Sequence, residues 1–464
     1  MDKKVVLPAV AGVLVVGGLV TPYFVGMHIE DVFKEHAVAW GETAGMSMEV
    51  SEYQRGWFSS QARVTARNGA VTMRSVYDIH HGPLPALNWA SMEGYLESVT
   101  STNGSMQTLT DFFDGPPLSY TATVPLFGHM KMTFFSPQTR GVVDGAADVR
   151  WDGLEGTLES DGDVVDMQFT IPGLTIIDGP VNAAFKGGSI KAEGVAFDPD
   201  KPNPGVWDQT AIITLDRVDI ADSSQDTRIG FSARINNDVH INDDDVTFGS
   251  RTAFNFSDVT MQLPGPPPAN LALNEGTIEY RLDGISIDAL RGLSKRITQA
   301  EQSAMSEQLR SQAIAEAFGN TLKAFVAGTP SMTLAIPEFD ARSGGMNASV
   351  TMSLDQAEAP VAISKTPPMV SLIQRLHIDL DLAFDISLIR AWSGIAPNAD
   401  LALAKVQQMV DQGFARIEGD RVVSRISAAA DEIVINGTPV PEAQRRALMM
   451  QLMTNAAASR PDNG

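Results

Sequence analysis

The sequence predicts an α+β protein: an N-terminal transmembrane helix, then a large, mostly antiparallel β-sheet body with several helices in its C-terminal half. Three observations predict it. An uncharged apolar run stands at the N-terminus. Period-two alternation of polar and apolar residues dominates from Met46 to about Leu263. Helical periodicity becomes prominent only after that point. The implied segments are a signal anchor at 1–27, a juxtamembrane helix at 28–45, a β-rich region at 46–265 and a mixed region with a helical tail at 266–464.

The anchor comes first. Lys3 and Lys4 precede "VVLPAVAGVLVVGGLVTPYFVGM", Val5 to Met27, which carries no charge. As a helix it would reach about 34 Å, enough for a hydrocarbon core of about 30 Å. A cleaved signal peptide shares this basic start and apolar centre, but the Ala-x-Ala at Ala9 to Ala11 comes too early for cleavage. The basic pair keeps the N-terminus cytoplasmic, with Tyr23 and Phe24 at the far interface. The expected partner is therefore the inner membrane, with the body in the periplasm of a Gram-negative cell. Gly17 and Gly18 would permit close packing of two anchors, and so a homo-oligomer. Next, "HIEDVFKEHAVAWGETAG" places Ile29, Val32, Phe33 and Trp40 near one helical stripe, with Gly45 to close it.

The β-rich region follows. "AVTMRSVYDI" (70–79), "SYTATV" (119–124), "HMKMTFF" (129–135), "DVVDMQFTI" (163–171), "TAIITLDRVDI" (210–220) and "RIGFSARINNDVHI" (228–241) all alternate, and turn residues separate them. This is the pattern of a long antiparallel meander with one apolar and one polar face. "LPGPPPANL", Leu263 to Leu271, is the boundary candidate, since consecutive prolines cannot join a central ladder. Beyond it come a strand in "TIEYRLDGISID" and a helix capped by Asp288 that runs to about Phe325. Strands at Ser331 to Ala341, Gly345 to Leu354 and Arg375 to Ile386 follow, then a helix from Ala399 to Ile417. A last strand at Asp431 to Gly437 leads into a Met-rich helical tail from Pro441 to Ala458, where Met449, Met450 and Met453 group together.

Composition limits the chemistry. With 44% hydrophobic and 19% charged residues the chain is globular. Its formal charge of −22 disfavours nucleic acid, which needs cationic neutralisation. Absence of cysteine removes disulfides, zinc thiolates and cysteine nucleophiles. The sequence contains no H-E-x-x-H, G-x-S-x-G, Walker loop or dinucleotide fingerprint. His80 and His81 are adjacent on an expected strand, so they point to opposite faces and cannot share one ion. Asp243, Asp244 and Asp245, like Asp161, Asp163 and Asp166, lack the spacing of a calcium loop and read as acidic hairpin tips. Ser364 and Lys365 lack the spacing of a Ser-x-x-Lys nucleophile. The expectation is a non-enzymatic protein with no cofactor and no metal.

The most individual stretch is "YQRGWFSSQARVTAR", Tyr53 to Arg67. Gly56 would supply the positive φ of a tight hairpin. Gln61, Arg63, Thr65 and Arg67 would share one face, and Ala62, Val64 and Ala66 the other. Trp57 and Phe58 would staple the hairpin base, and Arg55 would pair with a carboxylate such as Glu52. These residues also carry a resemblance. A signal anchor, then Tyr53, Arg55, Gly56, Trp57, Phe58, Ser59 and Ser60, then His81, Gly82, Pro83 and Leu84, is similar to the YdgA-like family of bacterial membrane-anchored proteins. "DEIVINGTPVP", Asp431 to Pro441, looks like that family's closing strand with its Asn-Gly-x-Pro turn. The resemblance implies inner-membrane anchoring, a periplasmic body and no catalytic residue to carry over, the family's function being unknown. The functional expectation is an envelope binding or scaffold protein with a lipid or an envelope protein as partner. A groove protein resembling the AsmA-type lipid bridges and a hydrolase with a scattered site are the alternatives.

Overall fold

The computed structural model describes residues 30, 34, 47–68, 71–81, 88–101, 112–125, 129–143, 147–160, 164–195, 208–242, 247–264, 269–288, 296, 329–354, 375–393, 399–429 and 432–445. The apolar run Val5 to Met27, the helix expected over 288–325 and the Met-rich end of the tail lie outside them, apart from isolated residues. Among the described residues no helix is long and apolar enough to cross a membrane. Two compact units divide the chain, Met1–Ile229 with Glu301–Ala304, and Gly230–Ala300 with Met305–Gly464.

The first unit is an antiparallel meander, as the alternation predicts. In order its strands are β1 (Ser47–Arg55), β2 (Ser59–Asn68), β3 (Val71–His81), β4 (Asn88–Ser101), β5 (Ser119–Pro125) and β6 (Met130–Ser136). Then come β7 (Thr139–Val143), β8 (Ala147–Trp151), β9 (Leu154–Ser160), β10 (Val164–Asp178), β11 (Val181–Val195) and β12 (Gln209–Asp222). Each of β1 to β5 pairs with the next. β6 then skips to β9, which pairs with the first half of β10, while the β7–β8 hairpin pairs with its second half. β10, β11 and β12 complete the ladder. The expected strands at 70–79, 119–124, 129–135 and 210–220 match β3, β5, β6 and β12 closely. β10 runs seven residues beyond its alternating stretch, because Ile176 and Ile177 still pair across to β8 and β11. The sequence does not single out β4, β7, β8, β9 or β11; in β4 and β11 glycines and alanines blur the alternation.

The second unit repeats the antiparallel rule. β13 (Thr227–Ile241) spans the division between the units, and β14 (Thr247–Leu263) follows. Asn255 Nδ2 donates to the Arg234 carbonyl at 3.2 Å, and Thr252 Oγ1 to Asn237 Oδ1 at 2.8 Å, so β13 flanks β14. β15 (Ala269–Ser286), β16 (Ser331–Ala341), β17 (Gly344–Leu354) and β18 (Leu376–Asp385) pair in succession after β14. The proline run links two paired strands here, with Leu263 opposite Ala269. Helices α1 (Ile386–Ser393) and α2 (Ala399–Asp411) come next, and α1 packs on β17, β18 and α2.

The chain then returns to the sheet through β19 (Arg416–Glu418), β20 (Arg421–Ala428), β21 (Ile433–Ile435) and β22 (Thr438–Pro439), with β20 paired to β18. The helix expected to reach Ile417 stops at Asp411. Gly413 takes φ 77°, its N–H donates to the Val410 carbonyl and that of Phe414 to Met409, which is a Schellman stop.

Candidate functional site

The β1–β2 hairpin forms where the sequence places it. Ala62 (1% exposed), Val64 (3%) and Ala66 (9%) face the core, while Gln61, Arg63 and Arg67 are exposed. Thr65 departs from this division and is buried. Three details correct the expectation. Gly56 does not adopt a left-handed φ. Glycine suits it because its N–H meets the Ser59 carbonyl at 2.8 Å, and an added Cβ would stand 2.6 Å from that oxygen. Arg55 pairs with Glu30 at 3.1 Å rather than with Glu52, which takes Arg63 instead. The hairpin register sets this choice by placing Glu52 directly opposite Arg63. Trp57 and Phe58 are not buried as a staple would be: they are 50% and 52% exposed.

Lys34, one turn beyond Glu30, completes the surroundings. Its Nζ lies 2.6 Å from the Glu30 carboxylate and 5.5 Å from the Tyr53 ring centroid. Burial raises the Tyr53 phenol pKa, opposed by a hydrogen bond with Ser60. Ser59 is exposed and Ser60 buried. His81 ends β3 opposite Ala90, but its side chain and all of Gly82, Pro83 and Leu84 lie outside the described residues. So do Asp161, Asp163 and Asp243 to Asp245; Asp166 is exposed on β10. His80 is exposed between Ser59 and Ser91. Among the described residues no three metal-capable side chains converge.

One constellation superficially resembles a catalytic triad. His377 Nε2 lies 3.1 Å from Asp379 Oδ2 and 3.4 Å from Ser427 Oγ. A relay needs the carboxylate on one ring nitrogen and the hydroxyl on the other. Here one nitrogen faces both, and the geometry is that of a polar sheet surface. Elsewhere in the second unit, Glu279 is 4% exposed between Arg251 and Arg281. Desolvation works to raise its pKa, but hydrogen bonds from Arg251 and Arg281 override it and hold the carboxyl below its ordinary value.

The feature that sequence reading missed is on one face of the first unit. Registration of consecutive strands lines up Tyr53, Ala62, Tyr77, Gly94, Tyr120, Phe134, Gly156, Phe169, Ile190 and Ile213 in a single cross-strand row. The rings touch across the glycines: Tyr77 and Tyr120 centroids are 5.4 Å apart over Gly94, and Phe134 and Phe169 are 5.2 Å apart over Gly156. Beside this row runs a second one, Met92, Ala122, Met132, Leu158, Met167, Ala192 and Ala211.

The opposite face carries polar pairs, with Gln61 bonded to Asp78, Thr121 to Thr133 and Lys131 to Glu159, although Val76 on it is buried. On the apolar face from β2 to β5, Ile79 at 2%, Tyr120 at 8% and Ala122 at 8% exposure are buried, while Tyr77 and Met92 are half-buried. From β6 through β12 its Met132, Phe134, Leu158, Met167, Phe169 and Ile213 are only half-buried.

No curated protein and no solved structure matches this chain. A family profile described as a bacterial protein of unknown function (DUF945) matches residues 1–443, nearly the whole length. It is the family to which the Tyr53–Ser60 and His81–Leu84 motifs pointed. The chain therefore belongs to this bacterial family of unknown function.

Proposed function

We propose that the protein is a non-enzymatic envelope component, held in the inner membrane by Val5 to Met27, whose periplasmic sheet binds the acyl chain of a lipid. The observation that carries this reading is the pair of apolar rows over β6, β9, β10, β11 and β12, whose Met132, Phe134, Leu158, Met167, Phe169 and Ile213 are only half-buried. Four strand spacings of about 4.8 Å give about 19 Å of track. One leaflet's share of a hydrocarbon core is about 15 Å, so the track accommodates one acyl chain. Methionine suits a floor for such ligands, because its unbranched, polarisable side chain adapts to an irregular apolar partner. Burying even half of a sixteen-carbon chain, at about 0.8 kcal/mol per methylene, offers about 6 kcal/mol before the cost of ordering it.

Gentle detergent extraction of the full chain followed by lipid mass spectrometry tests the reading. The expected result is a stoichiometric lipid that Leu158→Glu with Met167→Glu abolishes and Thr133→Glu, on the polar face, retains. A folded sample with no lipid, or equal lipid in all three proteins, overturns it. The first of those outcomes favours a scaffold whose apolar face is filled by the chain itself.

A further inference from the structure

Two large aromatics stand exposed at the β1–β2 tip, where most other aromatics among the described residues are buried or half-buried. Trp57 is 50% and Phe58 52% exposed, and Arg55 beside them is engaged by Glu30 at 3.1 Å. Glu30 follows the uncharged run Val5 to Met27 by three residues, so its Cα lies within about 11 Å of that of Met27. Lys34 makes a second tie one helical turn on, over the Tyr53 ring at 5.5 Å. The chain leaving the apolar run is thus fastened at two points to the strand end that carries Trp57 and Phe58.

Lys34 and Arg55 both reach the carboxylate of Glu30, so two cationic side chains stand beside the tip. Aromatic rings beside cationic side chains are the chemistry of the membrane–water interface. A structural account of the hairpin does not need these rings outside the core: the turn is closed by Gly56 and Ser59, and the strand faces by Ala62 and Val64.

We propose that the Trp57–Phe58 tip is a membrane-interface contact. It inserts into the headgroup layer of the bilayer that holds the N-terminal segment, and fixes the tilt of the first unit on that surface. The proposal rests on the anchoring proposed above and adds a second, peripheral contact to it.

The absence of cysteine makes the test clean. Phe58→Cys, Trp57→Cys and Phe135→Cys variants of the full chain are spin-labelled and reconstituted into phosphatidylethanolamine–phosphatidylglycerol vesicles. Phe135 is the control, a 51% exposed aromatic on the polar face of β6. Vesicle flotation reads the anchor; collision of the label with oxygen against an aqueous nickel chelate reads its depth.

The expected result is flotation of all three, with an oxygen-to-nickel ratio several-fold higher at 57 and 58 than at 135. A floating chain whose 58 and 57 labels meet nickel as freely as that at 135 overturns the tip contact and leaves the anchor standing. A chain that does not float overturns both. Should the Phe58→Cys protein misfold, the Trp57→Cys protein decides alone.

Discussion

Asn436 shows how much one residue carries in this fold. It holds φ at 51° and Gly437 follows at 81°, the pair of left-handed residues a type I′ turn between β21 and β22 requires. Its N–H donates to the Arg425 carbonyl at 2.7 Å, and its Oδ1 accepts from the Arg425 N–H at 2.9 Å. Its Nδ2 donates to the Gly413 carbonyl at 3.1 Å, at the stop of α2. One side chain thus joins the closing hairpin, β20 and a helix end. Asn436→Gly keeps the backbone conformation and loses the side-chain bonds, at a cost of about 1–3 kcal/mol. Asn436→Ala loses both, adding about 1–2 kcal/mol for the left-handed φ. Denaturant titration should rank stability as wild type, then Gly, then Ala; a Gly variant equal to wild type would reduce Asn436 to a turn residue. The sequence showed the turn in "ING", but not the bond to Gly413, because nothing local predicts which helix end lies beside a hairpin.

At the scale of the element, the glycines within strands decide how the sheet packs. A Cβ at Gly94 would stand 2.2 Å from the Tyr120 ring, and one at Gly156 2.1 Å from that of Phe169. Tyr120 cannot swing aside, since it is 8% exposed and its ring lies between those of Tyr77 and Phe134. Gly94→Ala is therefore expected to lose about 1–3 kcal/mol, as overpacked cores do. Gly156→Ala should lose less, because Phe169 is only half-buried and has room to yield. Thermal melts of the two variants check both the sign and the order; equal losses would mean that the two ring–glycine–ring arrangements are equally closed. Strand glycines also explain why β4 was illegible. Gly94 breaks the apolar period at the position where the packing needs it, so the alternation rule fails at a structurally demanding site.

Over the whole molecule, acid sensitivity follows from the ion pairs. Glu52, Asp148, Glu159, Asp219, Asp222 and Glu279 all have folded-state pKa values below the ordinary ones. Hydrogen bonds lead for the first five: from Gln54 and Arg63 to Glu52, Arg140 to Asp148, Lys131 to Glu159, Lys186 to Asp219 and Ser224 to Asp222. For Glu279 desolvation opposes the shift and its two arginines prevail. A depressed carboxyl pKa contributes stability that is complete above the unfolded value, near 4 for these residues, and is lost as pH falls through the folded value.

Unfolding free energy measured by urea titration should thus fall with decreasing pH below about 4, where the unfolded chain binds more protons. Glu279→Gln should flatten that fall, being the buried member of the group. An unchanged acid limb in the variant would show that Glu279 contributes nothing to it. The acidic composition alone announced neither the pairs nor their partners: the sequence suggests Glu52 for Arg55, and the hairpin register gives Glu52 to Arg63.

By itself the sequence determined the secondary structure of most strands, the two-faced character of the sheet, the turn residues and the family. These follow from local chemistry, in alternation, glycine and asparagine placement, and contiguous motifs. Tertiary structure alone decided which residues of separate strands stand side by side. The row from Tyr53 to Ile213 exists because the register of each strand on the next brings these residues opposite one another. A slip of one residue anywhere would have turned part of that row to the polar face. Exposure was decided at the same level: in sequence Trp57 and Phe58 read as a staple of the hairpin base, and in the fold they stand half exposed.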